Sequence, residues 1–187
     1  KVVAGADFSA KVEMDLNYHL PDKAPLLTEK RVLVVSVPDA KNDYRIDWTS
    51  TFTAGAEDLN FDRTPPKNFS GGYAGLSCRM TKELKTWTYT ACDGTTGATN
   101  IYGKTHKWLD FSKGGGIAIL DHPSNMRHPT AWYPNGMPFF SPAIVFHEPY
   151  TLAAGKSVTL RYRVFVHSST VDREALETEW KKFAEEK

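Results

Sequence analysis

No apolar run in this 187-residue sequence approaches the ~20 residues needed to cross a bilayer, and no charged-then-apolar leader precedes Lys1, so the chain reads as soluble. An excess of one charge sign is lacking too. The 23 Lys and Arg against 22 Asp and Glu leave a formal net charge of +1, which argues against a nucleic-acid backbone or an anionic membrane surface as partner. Neither a GxSxG elbow nor a glycine-rich phosphate loop occurs, and "KGGG" (Lys113 to Gly116) precedes a strand, as a hairpin turn does. Serine-nucleophile and nucleotide chemistry are unsupported, and no cofactor is implied. Cysteine is scarce. Cys78 and Cys92 either form one disulfide, which would fit a periplasmic or secreted protein, or are two buried thiols, and without a CxxC pair they are poor metal ligands.

What is present is a period of two. In "KVEMDLNYHL" Val12, Met14, Leu16 and Tyr18 fall on one face and Lys11, Glu13, Asp15 and Asn17 on the other. "YRIDWTSTFT" and "KSVTLRYRVFVH" alternate in the same way, the latter through Val158, Leu160, Tyr162, Val164 and Val166. "RVLVVSV", "YAGLSCRM", "TWTYTAC", "HKWLDFS", "GIAILDH" and "SPAIVFH" are further candidate strands. Many short strands, closely spaced turn signals and no intervening helix predict an all-β antiparallel sandwich. One domain over residues 1–187 is long enough to remove roughly 70% of its unfolded surface from water. Only the end of the chain has helical period: Leu176, Trp180 and Phe183 form one stripe, Ser169 with Asp172 suits a capping box, and this amphipathic helix reads as a brace on the sheet. "DRTPPKNFSGG" (Asp62 to Gly72) reads as a loop with the length and composition of a lid or binding loop.

Chemistry concentrates in "GIAILDHPSNMRHPTAWYPNG". A buried strand ends near Leu120, and Asp121, His122, Asn125, Arg127, His128, Trp132 and Tyr133 come after it, with Pro123 and Pro129 restricting the backbone between them. Guanidinium and amide donors beside flat apolar rings suit a small polyhydroxylated molecule, so a carbohydrate is the expected ligand. The plainer alternative has Asp121 and His122 ending a strand, Arg127 paired with a carboxylate and Trp132 in the core. His147 and Glu148 in "IVFHEPY" form a second polar pair. If the two loops meet, His122, Glu148 and His128 are candidate acid–base catalysts, with Asp121, Asn125, Arg127, Trp132, Tyr133 and His147 as substrate-binding residues. Three histidines with a carboxylate could instead hold a divalent metal, although the spacing matches no familiar ligand set. His19, His106 and His167 are assigned to strand surfaces or strand ends. A noncatalytic carbohydrate-binding module is the alternative to an epimerase, lyase or hydrolase, and it requires aromatic side chains exposed in a shallow groove.

The succession "GGYAGLSCRM", "KWLDFS", "GIAILDHPSNMRHPTAWY" and "FFSPAIVFHEPYTLAAGKSVTLRYRVFVH" resembles a bacterial family of uncharacterised proteins labelled methane oxygenase-like. The likeness is strongest from about Gly71 to His167 and implies a galactose-mutarotase-like supersandwich, a fold that often handles carbohydrate, in proteins that accompany sugar-oxidising dehydrogenases. It assigns no catalytic residue. A membrane methane oxygenase subunit needs spanning helices, which this sequence does not encode. Longer members carry a His-rich stretch upstream of the region matching "TEKRVLVVSV", so this chain is expected to be either a shorter relative or the C-terminal part of a longer protein.

Overall fold

The alternating segments become neighbours in one antiparallel sheet. A computed structural model of the chain describes residues 1–64, 71 and 75–186. The sheet contains β1 (Val2–Ala4), β2 (Ala10–Tyr18), β3 (Leu27–Val35), β4 (Tyr44–Ala54), β7 (Thr88–Ala91), β8 (Trp108–Lys113), β9 (Gly115–Asp121) and β13 (Ser157–His167), in the order β1-β2-β3-β4-β13-β9-β8-β7. β13 sits in the middle, in register with β4 from Ser157↔Thr53 to Val166↔Tyr44 and with β9 from Tyr162↔Asp121 to His167↔Gly116. "KGGG" does turn the β8–β9 hairpin, with Gly114 at φ +83, a conformation that favours glycine.

Two smaller sheets cover one face. β6 (Cys78–Arg79), β10 (Trp132–Asn135) and β11 (Phe139–Pro142) pair as β10-β11-β6, and β5 (Leu59–Phe61) pairs with β12 (Tyr150–Leu152). Leu160 and Tyr162 of β13, Leu109 and Phe111 of β8 and Ile119 of β9 pack there with Trp132, Phe140 and Ile144. The architecture is an all-β antiparallel sandwich with one long C-terminal helix. A short helix, α1 (Ala98–Ile101), interrupts the strands where none was expected and buries Ile101 in the core between the sheets.

The other face is covered by α2 (Arg173–Glu185), whose Leu176 and Phe183 pack on Trp108, Ala118, Leu120 and Phe165. Period two therefore describes only half of β13, because Arg163 and His167 on its second face are buried as well. Arg163 reaches Asp47 (Nε–Oδ1 2.6 Å), Glu179 (3.2 Å) and Glu186 (2.7 Å), and Glu179 also takes Arg45 at 2.6 Å. A charged group left alone at this depth would cost several kcal/mol, so these pairs hold α2 at one position on the sheet.

Several expectations are corrected. Of the two alternatives for the cysteines, the free thiols hold and the disulfide does not: Cys78 packs into the core between the sheets and Cys92 on the α2 side, so the main sheet separates them. Burial pushes the Cys78 thiol pKa up. "IVFH" is a turn, with Phe146 N–H donating to Ala143, and only Phe139–Pro142 of that region is a strand. "YAGLSCRM" yields the short β6; its first residues, and most of the "DRTPPKNFSGG" loop, lie outside the described residues. No capping box forms with Ser169. Asp172 is itself the N-cap, accepting Ala175 N–H at 2.7 Å, because a carboxylate one residue before the first helical turn reaches that donor directly. His19 follows the end of β2 and His167 ends β13, the strand-end positions expected, whereas His106 lies in the connection before β8; His106 and His167 are both buried. Glu29, which carries no signal in the sequence, is 1% exposed on the sandwich side of β3, where Arg31, Ser50 and Tyr18 donate to it.

His167 makes stability depend on pH. Burial alone would lower its pKa, but hydrogen bonds to Asp110 (3.0 Å) and to the Ser169 carbonyl (2.7 Å) favour the imidazolium and raise it. With the folded value above the unfolded value of about 6.5, this contribution is fully present below about pH 6.5 and is lost as pH rises through the folded value. In urea unfolding from about pH 5 to about pH 8, the stability gap between the native chain and His167→Gln is expected to shrink as pH rises. A gap constant with pH contradicts the assignment.

Candidate functional site

β9 ends where the chain can no longer pair with β13. Beyond Tyr162↔Asp121 the ladder stops, which leaves the backbone of Arg161 without a strand partner on that side. Asn125 supplies one: its Oδ1 accepts Arg161 N–H at 2.7 Å and its Nδ2 donates to the Arg161 carbonyl at 2.7 Å. A side-chain amide here replaces another strand's peptide group.

The Asp121 carboxylate, 0% exposed, organises the loop beyond the strand. Its Oδ1 accepts Asn125 Nδ2 at 2.8 Å, and its Oδ2 accepts His128 Nδ1 at 2.8 Å and Thr130 N–H at 3.0 Å. Acceptance by a carboxylate requires His128 to carry its proton on Nδ1. The His128 ring lies parallel to Trp180 of α2, centroids 5.9 Å apart, and Trp180 Nε1 donates to the Asp121 carbonyl at 2.8 Å. Sheet, loop and helix thus meet at one residue.

His122 points elsewhere. Its Nδ1 accepts Ser124 N–H at 3.1 Å and lies 2.7 Å from Ser124 Oγ, and its Nε2 lies 3.1 Å from the Glu186 carbonyl and 3.2 Å from Arg161 Nη1. Burial, then the nearby Arg161 guanidinium, lowers its pKa and keeps the ring neutral. Trp132 is 0% exposed with its Nε1 on the His106 carbonyl at 2.8 Å, and Tyr133 is 5% exposed. Neither offers a face to a guest molecule, because pairing of β10 with β11 turns this stretch into a core strand.

Arg127, His147 and Glu148 do come together. Arg127 adopts φ +61, in the left-handed region, and its guanidinium donates to the carbonyls of Ile144 (2.6 Å), Glu148 (2.7 Å) and Pro149 (2.9 Å) while pairing with the Glu148 carboxylate at 3.1 Å. His147 Nε2 donates to the Gly103 carbonyl at 2.8 Å. Gly103 has φ +73, and a Cβ there would sit 2.6 Å from the Phe146 ring, so only glycine fits. These contacts border a cleft of about 200 Å³ lined by Thr105, Arg127, Ala131, Ala143, Ile144, His147 and Glu148. His147 and Glu148 are exposed to solvent. Thr105, also in the lining, carries no sequence signal; it arrives there by bridging to Ala131. Among the described residues no three His, Cys, Asp or Glu side chains are grouped to hold a metal ion.

The residues named from sequence thus divide. Asp121, Asn125 and His128 form a buried brace, His122 joins the loop to the end of α2, Trp132 and Tyr133 belong to the core, and Arg127, His147 and Glu148 border open space. Replacing Asp121 by Ala leaves the donors of Asn125, His128 and Thr130 buried without this acceptor, and is expected to lower the unfolding free energy by about 3 kcal/mol or more. Urea denaturation measures this, and a loss under about 1 kcal/mol would show that the loop is held by something else.

Comparison with known proteins adds the family and little chemistry. Among the described residues no helix is long and apolar enough to cross a membrane, and neither the family match nor the structural match supports a methane-oxygenase reading. No curated protein matches the chain. A solved structure described as "Polysaccharide Lyase BACCELL_00875" is similar at a TM-score of 0.38 and 13% identity, over 97% of this chain and 26% of that one. The chain therefore spans about a quarter of that structure's length, and a likeness of this size fixes no activity. The model of the Family of unknown function (DUF6807) matches residues 1–181, and the chain belongs to that family.

Proposed function

We propose that this domain recognises a small carbohydrate through the cleft between Arg127, His147 and Glu148, on a sandwich of the galactose-mutarotase-like kind that its motifs resemble. The observation that carries the reading is the convergence of two exposed hydrogen-bonding side chains, His147 and Glu148, at a cleft of about 200 Å³ with an apolar wall of Ala131, Ala143 and Ile144. That volume lies below the range that holds drug-sized ligands, so it suits one small polar unit. Arg127 has a positioning role. Its grip on three carbonyls fixes the Ile144–Pro149 turn and aims Glu148, while the Glu148 carboxylate and His147 Nδ1, whose ring spends its Nε2 proton on Gly103, both accept from ligand hydroxyls.

Binding is favoured over acid–base catalysis. His122 and His128 spend ring nitrogens on the fold, and Glu148 is the only carboxylate among the described residues of the cleft lining, whereas glycoside hydrolysis commonly needs two. A panel of monosaccharides and their keto and acid derivatives, screened by thermal shift, is expected to contain at least one that raises the apparent melting temperature. Glu148→Gln and His147→Ala are expected to weaken that sugar by about tenfold or more without loss of fold. A panel with no responder, or a responder indifferent to both substitutions, overturns the proposal.

A further inference from the structure

The aromatic platform expected of a sugar site, absent among the described residues of the first cleft, stands at the far edge of the main sheet. Of the five tryptophans, four donate their indole N–H within the fold: Trp48 to Ser50 Oγ, Trp108 to Glu177, Trp132 to the His106 carbonyl and Trp180 to the Asp121 carbonyl. Trp87 is half-buried, and its indole N–H has no acceptor among the described residues. Its ring packs on Phe111 (centroids 5.6 Å apart), which packs in turn on Tyr89 (4.5 Å), so the indole is backed by a rigid aromatic cluster.

Trp87 lines a cleft of about 220 Å³ together with Lys85, Thr88, Gly97, Asn135 and Gly136, among others. An added Cβ would meet nothing within 4 Å at Gly136, so this wall is open. Asn135 Oδ1 is held by Met137 N–H at 3.1 Å, which orients the amide, while its Nδ2 has only a long contact of 3.5 Å to Tyr133 Oη. That donor is under-used. Thr88 and Lys85 are exposed, and Lys85 is the single charged side chain among the described residues of the lining.

We infer that this cleft is a second ligand site, for one sugar ring bearing a carboxylate. The C–H face of the ring lies against Trp87, hydroxyls take the indole N–H, the Asn135 amide and the Thr88 hydroxyl, and Lys85 attracts the acid. The inference stands on its own geometry and does not require the Arg127–Glu148 cleft to bind anything.

The test uses the whole chain labelled with ¹⁵N, titrated with glucuronate and with glucose. The Trp87 indole signal, identified by its loss in Trp87→Phe, is expected to shift and saturate with glucuronate, and about threefold more weakly with glucose at low salt. Lys85→Gln should erase the difference between the two sugars, Trp87→Ala should weaken glucuronate by about tenfold or more as read from the Asn135 side-chain amide signal, and Glu148→Gln should leave the Trp87 signal unchanged. A Trp87 signal unmoved up to the solubility limit of both sugars overturns the site. Equal binding of the two sugars, or a preference that survives Lys85→Gln, overturns the assignment to an acidic sugar. A shift abolished by Glu148→Gln places the binding at the first cleft instead.

Discussion

The carboxylate of Asp121 is the contact on which the loop side of this protein depends. It is entirely withdrawn from water and is satisfied by N–H donors from Asn125, His128 and Thr130. A buried carboxylate tolerates such a place only when its lone pairs are used. Meeting that demand draws residues 122–130 back over the end of β9, and Asn125 then closes the open end of β13. Arg127 emerges from the same loop in a left-handed conformation, and its guanidinium fixes the turn that presents His147 and Glu148. The cleft is thus shaped by polar groups buried behind it.

The second constraint is the helix side of the sheet. β13 is buried on both faces, and on one of them the covering element is amphipathic but carries Glu179 in its inward stripe. That carboxylate meets Arg163 and Arg45 from the sheet, and Asp47 and Glu186 pair with Arg163 as well. Ion pairs at this depth add little net stability compared with apolar packing, but they define a single register for the helix. Trp180 and the Glu186 carbonyl then deliver α2 to Asp121 and His122, joining the two constraints into one assembly.

Much of the fold was legible because strand and helix periodicities are local. Val158 to Val164 in β13, Val12 to Tyr18 in β2 and the Leu176–Trp180–Phe183 stripe declare their faces within a few residues. The turn at "KGGG" is legible for the same reason. Arg163 and His167 were not, since their burial depends on a helix that comes after the strand. Glu29 was hidden likewise: its partners Tyr18 and Ser50 come from adjacent strands, and nothing in "TEK" signals a buried carboxylate.

Composition drew attention to the stretch after Leu120, and rightly as a place where polar groups gather. Whether a particular side chain there faces solvent or the interior was beyond its reach. Trp132 looks like a stacking platform in the sequence and lies in the core because β10 pairs with β11, whereas Trp87 looks like one more strand residue and stands at an open cleft because β7 is the last strand of its sheet. The chain order of apolar and polar residues determined the long strands, the sandwich class and the C-terminal helix. Only tertiary structure decided which polar groups are spent on the fold and which are left for a guest, because that division depends on hydrogen-bond partners many residues away.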